Sequence, residues 1–116
     1  IIHSLDGYDE ISLTGDTKVV TNNNEFLIKP KDFNFDIISS EKIFGGNTVK
    51  EAASIFHDVL NLRATKEQTN VVLANSALAI STVKEIGISD AFELAKDSLL
   101  NKKALKSFNT LIELSK

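Results

Sequence analysis

His3-Ser4-Leu5-Asp6-Gly7-Tyr8-Asp9-Glu10-Ile11-Ser12-Leu13-Thr14-Gly15 runs on into Asp16-Thr17-Lys18-Val19-Val20, and this stretch carries more information than any other in the chain. Two adjacent carboxylates, Asp9 and Glu10, stand in a glycine-containing turn that follows a short β-branched strand at residues 1–3. Oxygen donors suit Mg²⁺, a hard cation that keeps several waters and takes one or two protein carboxylates beside the phosphates of its ligand. Open α/β sheets place their ligands at the carboxyl ends of strands, the position these two acids occupy. Along extended backbone, neighbouring side chains point to opposite faces. Both acids therefore reach one cation only where the chain bends, and Gly7 favours a bend. The same pair also suits a plain solvated acidic turn, since Asp and Glu are common in loops.

Outward from this run, residues 16–20 and 26–29 are rich in β-formers. Asn22, Asn23 and Asn24 between them predict a tight hairpin built on asparagine's tolerance of positive φ. Pro30 cannot donate to a ladder and ends the pairing. Residues 31–46 read as irregular, with Asp32-Phe33 and Phe35 as anchors to a core. From Thr48 the apolar period becomes helical. Thr48-x-x-Glu51 predicts a capping box ahead of a face made by Val49, Ala52, Ala53, Phe56, Val59 and Leu60. Thr65-x-x-Gln68 predicts a second capping box, opening a helix closed by Gly87. That helix is apolar nearly all round over residues 71–79, which predicts a central, buried position. Ser89 is placed to cap a third helix carrying Ala91, Phe92, Ala95 and Leu99. Ala104, Leu105, Phe108, Leu111 and Ile112 make a fourth amphipathic face. The fold class is α/β: short strands and a β-hairpin followed by about four helices, with residues 1–116 forming part of one domain.

The 116 residues are 42% apolar and 25% charged, ordinary values for a globular chain. A net charge of −3 gives no reason to expect nucleic acid or an anionic membrane as a partner. With no cysteine, disulfides and thiolate metal sites are excluded, which accords with a reducing cytosol. No apolar run approaches the roughly 20 residues of a membrane span. The chain contains no methionine and starts at Ile1-Ile2 inside a predicted strand, the pattern of a piece of a longer polypeptide whose remainder supplies more sheet. Exposed, that strand edge would invite self-association.

Other candidates divide between a functional and a structural reading. His3 is either a proton donor beside the loop or a histidine held by packing and one backbone hydrogen bond. His57, beside Phe56, reads as structural, and two isolated histidines make no zinc site. Gly45-Gly46 before a helix start suits either an anion site or a flexible entry turn. Asn75 lies among Val71, Val72, Leu78 and Ala79 and needs a backbone partner, because an unpaired buried amide costs about 1–3 kcal/mol. Ser76 and Ser81 lack the His and Asp partners of a nucleophile.

The chain resembles, over essentially its whole length, the C-terminal third of the anthranilate phosphoribosyltransferase family. The resemblance rests on His3-Ser4, on the run Asp6-Gly7-Tyr8-Asp9-Glu10-Ile11-Ser12-Leu13-Thr14-Gly15, and on Thr17-Lys18-Val19. Asp32-Phe33, Gly45-Gly46-Asn47 and Asn70-Val71-Val72-Leu73-Ala74-Asn75-Ser76-Ala77 follow in order, the last similar to the family's buried Asn-Ala-Ala helix. It implies a phosphoribosyltransferase/nucleoside-phosphorylase-like α/β domain, and transfer of phosphoribose from phosphoribosyl pyrophosphate to the amino group of anthranilate, in tryptophan biosynthesis. Carried over by position, Asp9 and Glu10 are the Mg²⁺ ligands, not general bases. The resemblance further implies a cytoplasmic homodimer, joined through an N-terminal helical domain that this chain does not contain. The family's Gly-Thr-Gly-Gly-Asp phosphate loop and Lys-His-Gly-Asn-Arg segment are also absent, so residues 1–116 alone are expected to be inactive. Tyr8 stands where leucine or methionine is commoner. Two other readings are a pyrimidine-nucleoside phosphorylase, which uses free phosphate, and a non-catalytic interaction module.

Overall fold

The computed structural model describes all of residues 1–116. Three short strands, β1 (Ile2–Ser4), β2 (Thr17–Val20) and β3 (Glu25–Ile28), form an antiparallel sheet in the order β1-β2-β3. Four helices follow: α1 (Val49–Leu60), α2 (Lys66–Lys84), α3 (Ile88–Leu100) and α4 (Lys103–Leu114). The architecture is the α/β one expected, with strand ends within a residue or so of their predicted places. Ser4 pairs with Thr17 and Thr17 with Ile28, so these three residues stand in one row across the sheet. Thr17 and Val19 are buried and face the helices, while Lys18 between them reaches out to Glu25 at 2.7 Å. That alternation is the mark of a sheet covered on one side.

The β2–β3 hairpin forms without left-handed asparagines, since none of Asn22, Asn23 and Asn24 has positive φ. Val20 pairs with Glu25, which leaves a four-residue loop. Thr21 closes it, its hydroxyl accepting from the amides of Asn23 (3.3 Å) and Asn24 (3.0 Å). A loop of this length turns with ordinary backbone angles, so the property that singled out the asparagines is not used.

The core is one cluster built from the loop, the sheet and two helices: Ile11, Leu13, Val19, Ile28, Phe33, Ala74, Ala77 and Ala91. Alanines on α2 and α3 let the two helices approach closely. The segment expected to be irregular holds two 3₁₀ turns, Pro30–Phe33 and Ser40–Ile43, and its anchors Phe33 and Phe35 both meet Phe92 of α3 with ring centroids 5.7 Å apart. A second cluster of Val59, Leu73, Ala95 and Leu99 secures the last turn of α1 to α2 and α3.

Several helix features depart from expectation. Thr48 caps α1 by accepting from the Glu51 amide (3.2 Å), but the Glu51 carboxylate reaches one residue further back, to the Asn47 amide (2.6 Å). Of the two predicted boxes, the reciprocal one forms at Thr65 and Gln68, where both bonds are 3.2 Å. Gly87 does not close α2. Glu85 takes the left-handed position at φ 54, and Gly87 at φ −59 is the residue before α3. Ser89 therefore falls inside α3 and makes no cap bond. Along α1 only Val59 and Leu60 are buried, and Val49 at its start is 88% exposed, because the helix docks by its C-terminal half. On α2 the buried residues are Leu73, Ala74 and Ala77, whereas Val72 and Val83 are exposed. The helix is thus covered on one side only. Its open side and the edge of β1 border an apolar groove of ≈ 670 Å³ lined by Ile1, Ile2, Val20, Leu78 and Val83. α4 has no buried residue and meets α1 through Phe108, whose ring lies 5.0 Å from Phe56 and 5.6 Å from His57. No single helix is long and apolar enough to cross a membrane.

Two predictions follow from these helix ends. Left-handed backbone costs a residue with a Cβ roughly 1–2 kcal/mol, partly offset by glycine's greater unfolded-state entropy, about 0.4–1 kcal/mol. Glu85→Gly should therefore raise the melting temperature by about 2–4 °C. A calorimetric scan showing no rise would mean that Glu85 is unstrained. At the α3–α4 corner, hydrogen bonds from Lys103 and Asn101 hold the Asp97 carboxyl below its ordinary value. A lowered folded-state pKa stabilises the fold at pH above the ordinary carboxylate range, and that contribution is lost as pH falls through the lowered value. Wild type should be more stable than Asp97→Asn at neutral pH, with the difference shrinking in pH-dependent melts as pH falls below the ordinary carboxylate range.

Candidate functional site

The loop between β1 and β2 is organised by hydroxyls. Ser4, at the end of β1, has no solvent exposure, nor does Thr17 opposite it, and Ser12 is 3% exposed. Ser4 Oγ donates to the Glu10 carbonyl at 2.8 Å. Its single proton is thereby used, so the Thr17 hydroxyl, 2.8 Å away, donates to it. The Ser12 amide donates to the same oxygen at 3.3 Å, and Ser12 Oγ lies 3.2 Å from it. Ser12 Oγ in turn accepts from the Thr14 amide at 3.2 Å, and Thr14 Oγ1 bridges to the Asp6 carboxylate. No buried side-chain polar atom in the chain lacks a partner. The loop is a closed network rather than a slack connection.

The turn bends at Gly7. Gly7 has φ +103, the Gly7 amide donates to Ser4 O (3.0 Å), and the Ser4 amide donates to Tyr8 O (2.9 Å). Beyond the turn Ile11 (2% exposed) and Leu13 (1%) plunge into the core. Leu13 does so at φ 62, a conformation that is strained for a residue with a Cβ. Asn75, on α2, reaches across to the loop. Its Oδ1 accepts from the Ile11 amide (3.0 Å), and its Nδ2 donates to Ile11 O (2.8 Å) and Val71 O (2.9 Å). The expected backbone partner of Asn75 is therefore found, 64 residues away in sequence.

Asp9 and Glu10 are left on the surface of this scaffold. Both are exposed, and neither carboxylate enters a hydrogen bond or ion pair within the chain. Most other acids near backbone turns are engaged: Asp32 with the Lys29 amide, Glu51 with the Asn47 amide, and Asp58 with Arg63. No group of three or more His, Asp or Glu side chains converges to hold a metal. The donor set is instead two free carboxylates on a braced bend. That fits a cation that keeps its waters and takes its remaining ligands from a phosphorylated molecule, and it would not hold a fully protein-ligated ion.

The other candidates take structural places. His3 is exposed in β1 opposite Lys18, and its ring makes no hydrogen bond, so the packed, hydrogen-bonded histidine expected there is not what forms. His57 lies edge-on to Phe56 and Phe108. Gly46 has φ +90, and a Cβ there would stand 2.7 Å from Glu51 Cβ. The free amide after it is taken by Glu51, so the chain's own carboxylate occupies the place an anion would take. Ser81 donates to Ile86 O (2.6 Å) and ties the α2–α3 turn. Tyr8 borders a shallow depression with Ser40, Glu41, Ile43 and Phe44.

The chain is thus a small antiparallel sheet with an acid-bearing loop, backed by packed helices. The model of the glycosyl transferase family, a/b domain, matches residues 1–105, and the chain belongs to that family. It is 50% identical over 115 residues to the anthranilate phosphoribosyltransferase of Flavobacterium johnsoniae and 49% identical to that of Flavobacterium psychrophilum. Each match covers 99% of this chain and 35% of the relative. The chain therefore spans about a third of the length of the curated relatives it matches. Among solved structures it is similar to the anthranilate phosphoribosyltransferase from Saccharomyces cerevisiae in complex with PRPP and Mg, with TM-score 0.86 at 20% identity. That match covers 97% of this chain and 32% of the other. The Thermus thermophilus enzyme gives TM-score 0.77 at 19% identity over 90% of this chain and 31% of that one. At these identities the structural matches establish the fold.

Ser4→Ala leaves a buried Ser12 amide and Glu10 carbonyl without their partner, at a cost of about 1–3 kcal/mol. Asp9→Asn removes only an exposed, unpaired charge and should stay within about 0.5 kcal/mol of wild type. Urea unfolding of both variants measures the contrast. Equal losses would mean that the hydroxyl cluster does not hold the loop.

Proposed function

We propose that residues 1–116 are the acid-bearing, C-terminal part of an anthranilate phosphoribosyltransferase, which moves phosphoribose from phosphoribosyl pyrophosphate to the amino group of anthranilate and releases pyrophosphate. The observation that carries this reading is the identity of 50% along nearly the whole chain to a relative of that name. It is joined to the free Asp9–Glu10 pair on a rigid bend. In this reading Asp9 and Glu10 hold Mg²⁺. When bound, the cation neutralises charge on the departing pyrophosphate while the ribose carbon becomes cation-like. Both acids are exposed and paired with nothing, which leaves their oxygens free to act as ligands. The hydroxyl cluster and Asn75 keep the two carboxylates from collapsing onto the body of the chain. Anthranilate as acceptor, a homodimer of the whole protein and a cytoplasmic place belong to the same proposal. A nucleoside phosphorylase reading has no comparable relative among those described above.

The test is loss of anthranilate fluorescence with phosphoribosyl pyrophosphate and Mg²⁺, on the full-length polypeptide that carries this chain. Turnover is expected, falling by about 10²-fold or more in the Asp9→Asn/Glu10→Gln double variant. Residues 1–116 alone, which contain no glycine-rich phosphate loop, should show no turnover. Activity that survives the double substitution would make the pair a structural turn. No turnover in the full-length polypeptide would favour a phosphorylase or a non-catalytic module.

A further inference from the structure

We infer that Asn75 is a positioning residue for the acidic pair: from the middle of α2, it sets the orientation of the peptide on which Glu10 is mounted. The inference rests on the metal-binding reading of Asp9 and Glu10 given above. The Glu10–Ile11 peptide has two polar atoms, and both are held by side chains. Its carbonyl accepts from Ser4 Oγ at 2.8 Å, and its amide donates to Asn75 Oδ1 at 3.0 Å. Two elements, β1 and α2, thus grip one peptide from its two edges. The next carbonyl, that of Ile11, is held by Asn75 Nδ2 at 2.8 Å. A peptide fixed at both ends cannot flip, and the Cα of Glu10 at its head is fixed with it.

The orientation of the Asn75 amide is itself determined. Nδ2 has two protons, one given to Ile11 O and the other to Val71 O one turn back on its own helix. Exchanging Oδ1 and Nδ2 would set the amide nitrogen against the Ile11 N–H and the oxygen against two carbonyls. Helix α2 is rigid here because Ala74 and Ala77, on either side, have no exposure. The side chain therefore transmits the position of a core helix to an exposed loop. Asp9, Glu10 and the space a cation would fill are on the solvent side, and Asn75 touches none of them. Asn75 bonds the backbone beside a proposed ligand rather than the carboxylate itself, so its loss is expected to fall at the low end of the roughly 10–100-fold change in metal affinity typical of groups that orient a ligand.

The test uses the full-length polypeptide, Mn²⁺ as the probe cation with phosphoribosyl pyrophosphate present, and electron paramagnetic resonance to count free Mn²⁺. Asn75→Ala should raise the Mn²⁺ dissociation constant by about 10-fold. The activity should show a matching rise in the Mg²⁺ concentration for half-saturation, with kcat at saturating Mg²⁺ largely kept. Asn75→Ser, which can bond back to Val71 O but is too short to reach Ile11, keeps the helix polar and should give the same shift. In both variants the Ile11 amide should exchange its hydrogen at least about tenfold faster, while amides in the middle of α3 keep their protection. A loss of stability alone would lower the active fraction and leave the Mn²⁺ constant of the folded protein unchanged. An unchanged Mn²⁺ constant in folded Asn75→Ala and Asn75→Ser would overturn the inference. Should wild type show no Mn²⁺ binding that Asp9→Asn/Glu10→Gln abolishes, the metal reading itself falls. Asn75 then stands or falls as the anchor of the turn on the exchange rate at Ile11.

Discussion

Ser4 Oγ is the point on which the loop depends. One hydroxyl, with no exposure to solvent, donates to the Glu10 carbonyl and accepts from the Thr17 hydroxyl and the Ser12 amide. Burial makes the arrangement obligatory for the Thr17 hydroxyl and the Ser12 amide, which would otherwise be unsatisfied in a place water does not reach. The register of β1 on β2 sets Ser4 opposite Thr17, so the sheet fixes the cluster and the cluster fixes the loop. Ile11 and Leu13 then enter the core on either side of Ser12, and the acids that precede them are turned outward.

The consequence for function is a division of labour along thirteen or so residues. The inner positions, Ser4, Ser12 and Thr17, make the hydrogen bonds, while Asp9 and Glu10 make none. Free carboxylates repel each other and would be expected to move apart on a loose chain. Here the backbone that carries them is tied to β1 by Ser4 and to α2 by Asn75. In the proposed reading, a cation arriving with a phosphorylated substrate would meet two acids whose backbone is already held, so less backbone ordering entropy is lost on binding.

Much of this was readable from the residues. The change from period two to period 3.6 at Thr48 marked the switch from strands to helices, and Thr65-Gln68 marked one helix start to the residue. The Asp9–Glu10 pair stood out by adjacency, and Asn75 by being an amide among aliphatics. Other signals misled for identifiable reasons. Gly87 advertised a left-handed helix end, yet Glu85 took that position because Ile86 and Ile88 had to turn into the core. The three asparagines advertised a tight turn that a four-residue loop does not need. Ser4, Ser12 and Thr17 passed unnoticed, although Ile11-Ser12-Leu13, a hydroxyl between two large aliphatics, held the clue.

What the sequence determined by itself is local: which segments repeat with a strand's or a helix's period, where caps begin, and where two carboxylates lie side by side. These follow from contacts within a few residues, and such contacts leave a pattern in the order of the side chains. Only the tertiary structure decided that Ser4, Ser12 and Thr17 share one buried point, that Leu13 accepts a strained φ, and that Asn75 reaches Ile11. The hydrogen bonds among them join residues from 8 to 64 positions apart in the chain. Their energy comes from burial, and burial depends on the packing of the whole rather than on any one stretch of it.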